Sequence, residues 1–238
     1  MGISTKEAAT ILKINPRTVR QRVKSGYLVP LSTSPTLLFD DEQVYTLQRR
    51  EAAQKVLRNV NRPIDMVKES YILLKTGVSL ETICEEYNIE EDSLEDAVDL
   101  YKVQRRNILR GYGLGDKKSP DTLYENWLLV DEVLARLKIT DSHVVYNLSI
   151  DNDISMEKIR RAPIKYIVNA QSFNNYLGDV KGEILYTSKE TEEEIGLNVN
   201  QIDKIAKSHG IGRKLRSGSK NSIYLFTDNE RSKISRLS

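Results

Sequence analysis

The chain has 238 residues, with 36 basic and 34 acidic side chains, a formal net charge of +2 and 39% hydrophobic residues. No stretch reaches the roughly 20 apolar residues that cross a bilayer, and the single cysteine, Cys84, excludes an internal disulfide. Residues 1–7 lack the apolar core of a signal peptide, so a cytoplasmic, helix-rich protein without a membrane partner is expected.

The small net charge is a sum of opposites. Residues 1–30 hold the bases Lys6, Lys13, Arg17, Arg20, Arg22 and Lys24 against one acid, Glu7. Residues 81–99 hold nine acids and no base, and residues 204–220 hold six bases (Lys204, Lys207, Arg213, Lys214, Arg216, Lys220) and no acid. Basic ends point to a polyanion partner, with the acidic centre turned away from it.

In chain order, Ser4 followed by Glu7 predicts a capping box and a first helix with Ala8, Ile11 and Leu12 inside. Asn15 and Pro16 predict the start of a second helix, with Val19 and Val23 inward and Gly26 at its end. Arg17, Thr18, Gln21 and Lys24 then point outward, flanked by Arg20 and Arg22, and Arg17, Arg20 and Arg22 crowd together without evident acidic partners. Arg pairs with guanine and Gln with adenine in the major groove, while Lys24 and one flanking arginine suit phosphate. A solvated basic face is the plainer reading of the same residues.

Asp40, Asp41 and Glu42 are expected to charge the N-terminus of a long helix over 41–62 that Pro63 breaks. Further helices follow over 64–108, including an acidic helix-turn-helix at 80–99 suited to self-association or a protein partner, or simply solvated. Cys84 reads as a buried small hydrophobe. Gly111, Gly113 and Gly115 predict a flexible linker.

The opening pattern returns at a constant offset of 183 residues. Thr187 and Glu190 repeat the capping box, Asn198 repeats Asn15, and Ile202 and Ala206 repeat Val19 and Val23. Outward positions there are Asn200, Gln201 and Lys204. A wing is expected over 212–226, with Arg213, Lys214, Arg216 and Lys220 on arms about a Ser-Gly-Ser turn, able to meet phosphate or the minor groove. A weaker copy lies at an offset of 125, with Leu129 in place of the cap, Asp141 at the front of the second helix, and Ser142, His143, Val145 and Tyr146 outward. That face lacks a base, so the copy reads as a structural or pairing unit, although Arg160, Arg161 and Lys165 remain available to a backbone.

Residues 3–47, with Ser4-Thr5-Lys6-Glu7-Ala8-Ala9, the turn Leu12-Lys13-Ile14-Asn15, the helix Pro16-Arg17-Thr18-Val19-Arg20 and the exit Leu38-Phe39-Asp40, resemble the MerR/excisionase-type winged helix superfamily. The C-terminal copy resembles it more loosely and the middle copy least. The resemblance implies DNA-binding domains of two helices and a β-wing.

The expected fold is therefore mostly α with small β-wings: tandem winged helix-turn-helix modules joined by a helical connector. Its divisions are a DNA-binding module at 1–48, a connector at 49–110, a linker at 111–122, a degenerate module at 123–180 and a second DNA-binding module at 181–238. No phosphate loop, nucleophile elbow or zinc-spaced Cys/His set occurs. His143 and His209 are the two histidines, and nothing pairs them as ligands. A non-enzymatic, nucleoid-associated protein that reads double-stranded DNA without a cofactor is expected, most simply a transcription regulator. An architectural, recombination-directing, replication or segregation factor, and a protein-interaction adaptor, are the alternatives.

Overall fold

The computed structural model describes residues 2–33, 36–58, 65–116, 118–159, 164–216 and 222–238. The protein is mostly helical with small antiparallel sheets. Its N-terminal part runs β1 (Gly2–Ser4), α1 (Thr5–Ile11), α2 (Pro16–Lys24), β2 (Leu38–Asp40) and α3 (Asp41–Arg58). The centre follows as α4 (Met66–Lys75), α5 (Leu80–Tyr87), α6 (Glu91–Tyr112) and α7 (Asp121–Glu125). Then come β3 (Trp127–Leu129), α8 (Val130–Arg136), α9 (Ser142–Ile150), β4 (Met156–Ile159), β5 (Lys165–Asn169) and α10 (Ala170–Leu177), with a 3₁₀ turn at Gly178–Gly182. The chain ends on β6 (Tyr186–Thr187), α11 (Ser188–Ile195), α12 (Val199–His209), β7 (Arg213–Arg216), β8 (Ser222–Phe226) and α13 (Asp228–Arg236).

One plan is used three times: a short strand, two helices, two further extended segments and a closing helix. Sheet order is β3-β5-β4 in the middle and β6-β8-β7 at the C-terminus, so the last strand lies between the other two. At the N-terminus β2 pairs with β1 from Gly2↔Asp40 to Ser4↔Leu38, and an arm at Ser32 bridges Leu38 from the other side. Local chemistry explains the helix starts. Ser4, Thr187 and Thr227 each close a capping box with the glutamate three residues on. In the middle copy Leu129 has no oxygen to offer, and only half the box forms, its N–H donating to Glu132 at 2.7 Å.

The largest core gathers α4, α5 and α6 with α8, α9, β5 and α10, and also takes in Tyr186, Leu215 and Leu225 of the C-terminal part. The N-terminal helices close a separate core around Val19, Leu28, Phe39 and Val44, to which α6 contributes Leu100. A third core holds Ile202, Ala206, Tyr224, Phe226 and Ile234.

Polar links, some of them buried, fasten these parts together. Arg50 of α3 meets Asp96 at 3.3 Å and Asp99 at 3.7 Å on α6. Gln54 and Gln104 exchange amide hydrogen bonds, and Gln104 also donates to the Tyr27 hydroxyl at 2.9 Å. Arg105 bonds Glu132 at 2.6 Å, which also accepts from Tyr101. Lys138, just past α8, stands between Glu69 of α4 at 3.7 Å and Glu190 of α11 at 2.8 Å. Burial pushes the Glu69 carboxyl up; burial also opposes ionisation of Glu190, but Lys138 and the Thr187 bonds outweigh it and hold that carboxyl down.

Several local expectations change. The stretch read as a flexible linker is tied down: Asp116 accepts from Lys118 N and Ser119, and the Tyr124 hydroxyl donates to the Asp116 carbonyl at 2.6 Å. Gly115 has φ +65°, and an added Cβ would fall 2.9 Å from the Tyr124 hydroxyl, so glycine serves here as a packing residue. Cys84 is half-buried rather than enclosed, and its thiol is pushed up by that burial and by Glu91. The acidic stretch at 80–99 is partly used within the chain, through Arg50 and through a hydrogen bond that the Tyr186 hydroxyl donates to the Glu86 carboxylate. Pro63 and residues 59–62 lie outside the described residues.

Candidate nucleic-acid interface

In the N-terminal part, β1 leads directly into α1 through Ser4. Its hydroxyl accepts from Glu7 N at 3.3 Å, while Ser4 N donates to the Glu7 carboxylate at 2.7 Å, and these bonds hold that carboxyl below its ordinary value. Lys13 takes the left-handed conformation at φ 53° in the turn, and Asn15 caps α2 by accepting from Arg17 N at 2.8 Å. These constraints set the rotation of α2. Val19 is fully buried, and Arg17, Arg20, Gln21 and Lys24 consequently emerge on the exposed side, with Thr18 half-buried.

Arg17 and Arg20 have no ion-pair partner among the described residues. Arg22 differs: it pairs with Glu51 of α3 at 2.7 Å and lies 5.5 Å from the centre of the Tyr27 ring. The expectation that Arg22 lacks an acidic neighbour is therefore corrected. Glu51 was not singled out in the sequence because it lies on the next helix, beyond β2. Tyr27, five residues after Arg22, was the available hint, since aromatic faces attract guanidinium groups.

At the C-terminus α12 is likewise seated by Ile202 and Ala206, leaving Asn200, Gln201, Lys204 and Lys207 exposed. Gln201 also serves the backbone, its side-chain oxygen accepting from Asn198 N at 3.1 Å to close a capping box. Its amide nitrogen is the part left to read a partner. Lys207 was counted among the bases but not assigned to the helix face; its place one turn after Lys204 was the available signal.

The hairpin β7–β8 pairs Arg213↔Leu225, Lys214↔Tyr224, Leu215↔Ile223 and Arg216↔Ser222. Lys214 is exposed, whereas Leu215 is buried in the main core. Arg213 points back into the protein. It donates to the Tyr176 carbonyl and, at 2.9 Å, to the Leu177 carbonyl, and its guanidinium lies 5.1 Å from the Tyr176 ring centre. It satisfies the carbonyls at the end of α10 and joins the hairpin to the middle part. Lys220 and the Ser-Gly-Ser turn lie outside the described residues, as do Arg160 and Arg161.

The middle copy differs on its second helix. Asp141 caps α9 by accepting from His143 N at 2.9 Å. Val145, expected to point outward, is fully buried in the main core. His143 is exposed and half-buried Tyr146 meets Tyr166 edge-on, ring centres 5.1 Å apart.

Residues 17–24 thus share α2, and Asn200, Gln201 and Lys204 share α12, but the two helices rest on separate cores. Among the described residues no group of three His, Cys, Asp or Glu side chains is placed to hold a metal ion, and no helix is long and apolar enough to cross a membrane. Comparison with protein families, curated proteins and solved structures finds no match to this chain.

Proposed function

We propose that the protein is a sequence-specific double-stranded DNA-binding protein, acting as a transcription regulator through tandem winged helix-turn-helix modules. The observation that carries this reading is the pairing of a repeated plan with a changed surface. All three copies seat their second helix by the same inward positions. The two terminal copies turn Arg17, Arg20 and Gln21, and Asn200 and Lys204, to the outside. The middle copy instead buries Val145 in the main core.

An exposed helix bearing guanidinium and amide groups fits the major groove, where base edges offer distinguishable donors and acceptors. Lys24, Lys204, Lys207 and Lys214 suit phosphate oxygens and fix position without reading sequence. Arg22, held by Glu51 and Tyr27, orients the N-terminal helix and adds charge at its end. The middle module acts as the mount for the C-terminal one.

Selection of duplexes from a random library by the full chain, followed by titration against salt, tests this reading. A recovered consensus, bound with affinity that falls steeply with salt, is expected. Failure to retain any duplex at low ionic strength overturns it.

A further inference from the structure

The first and third copies place opposite chemistry at one topological position. The strand after the second helix is basic in the C-terminal copy, Arg213–Arg216. In the N-terminal copy the corresponding arm follows Gly26 and bridges β2 through Leu31 N to Leu38 O at 2.7 Å and Leu38 N to Ser32 O at 3.1 Å. Residues 25–38 contain no charged side chain.

The arm carries one bridge, Ser32↔Leu38, and is otherwise irregular. Leu28 is buried, and Val29, Leu31 and Thr33 are exposed. Val29 is 62% and Leu31 65% exposed, two large apolar side chains in three residues, with Pro30 between them. Single exposed apolar residues need no explanation. Here two stand two positions apart on an arm that leaves α2 directly, Tyr27 N and Leu28 N both donating to Arg22 O.

We infer that Val29 and Leu31 form an apolar wedge that enters the minor groove of duplex DNA and partly unstacks a base step, bending the duplex towards the major-groove helix. The inference rests on the duplex-binding reading and deepens it. Cationic α2 supplies the attraction to the phosphates, and the arm continues from its last turn. An uncharged arm has nothing to offer phosphate, whereas apolar side chains between base steps kink DNA by opening the stack. The partner is thus a deformable duplex, most readily at flexible pyrimidine–purine steps.

The test uses the full chain on a duplex recovered by selection, carrying a fluorescent adenine analogue at successive steps and end labels that report bending. The unaltered chain is expected to bend the duplex and to raise analogue fluorescence at one step beside the α2 contact. Val29→Ser with Leu31→Ser should remove both signals and weaken binding about tenfold, with the salt slope unchanged because apolar contacts release no counterions. Leu31→Phe, still a wedge, should keep both signals. Since both side chains are exposed, unfolding midpoints should stay at the parent value.

A bound duplex that is straight and evenly stacked overturns the wedge alone. So does a double variant that bends DNA like the parent, or one whose only change is loss of a dimer seen in the DNA-free protein. Absence of any duplex binding by the unaltered chain overturns both readings.

Discussion

Arg20 and Arg22 lie two positions apart on α2, yet their surroundings separate their roles. Arg22 is held by Glu51 and the Tyr27 ring, with their side chains partly shielded from water, whereas Arg20 faces solvent. A partly shielded ion pair with a ring contact contributes about 1 kcal/mol. Arg22→Ala should therefore lower unfolding stability in urea by about that amount, and Arg20→Ala should stay within about 0.5 kcal/mol of the parent. Equal losses would contradict the division. Arg17→Ala with Gln21→Ala should instead leave stability intact and relax sequence preference, each base-edge interaction being worth about 1–3 kcal/mol. Site selection by that double variant matching the parent would remove α2 from base reading. At this scale the exposed set was legible in the sequence, because the spacing of Val19 and Val23 fixes which side of α2 faces out. The partners of Arg22 and Arg213 were not legible: Glu51 and the α10 carbonyls come from elements that only the fold brings near.

Capping chemistry made the helix starts legible: a serine or threonine followed by glutamate marks α1 and α11, and Asn15 and Asn198 mark the second helices. What the pattern concealed was how elements meet. Val145 matched an outward position, but the main core takes it in, and Gly115, one of the glycines that suggested a loose linker, packs against Tyr124. Lys138 illustrates why such contacts escape a reading of one segment at a time, for it joins α4 and α11 from the turn after α8. Its side chain is 1% exposed, so removing it strands the buried Glu69 carboxyl and leaves Glu190 with its Thr187 bonds. Lys138→Met should cost about 3–5 kcal/mol in chemical denaturation, and a loss below 1 kcal/mol would show that the carboxylates find other partners. Glu69 adds a pH signature. Burial raises its carboxyl above 4.5, so between that value and the elevated one the folded chain holds a proton that the unfolded chain has released. This contribution is full below 4.5 and is lost as pH rises through the elevated value. The stability of Glu69→Gln relative to the parent should therefore climb with pH above 4.5 and then level off. A pH-independent difference would contradict this.

Across the whole molecule, the segregation of charge was plain from the sequence, but the fastening of the parts was not, since it depends on pairs such as Arg50 with Asp96 and Arg213 with the end of α10. Lys214→Ala with Arg216→Ala should weaken duplex binding evenly across sequences and reduce the salt slope by about one for each phosphate no longer neutralised; an unaltered slope would take the C-terminal hairpin out of the interface. The Arg213 anchor reaches further than local stability. A hairpin bolted to the middle of the chain, itself clamped to α6, ties the C-terminal part to the centre. On the proposed reading, two heads mounted in this way address a duplex in step with its winding. Inserting about 5 base pairs between their subsites should turn one of them to the far side of the DNA and abolish joint binding, while about 10 base pairs restores the facing but stretches the reach.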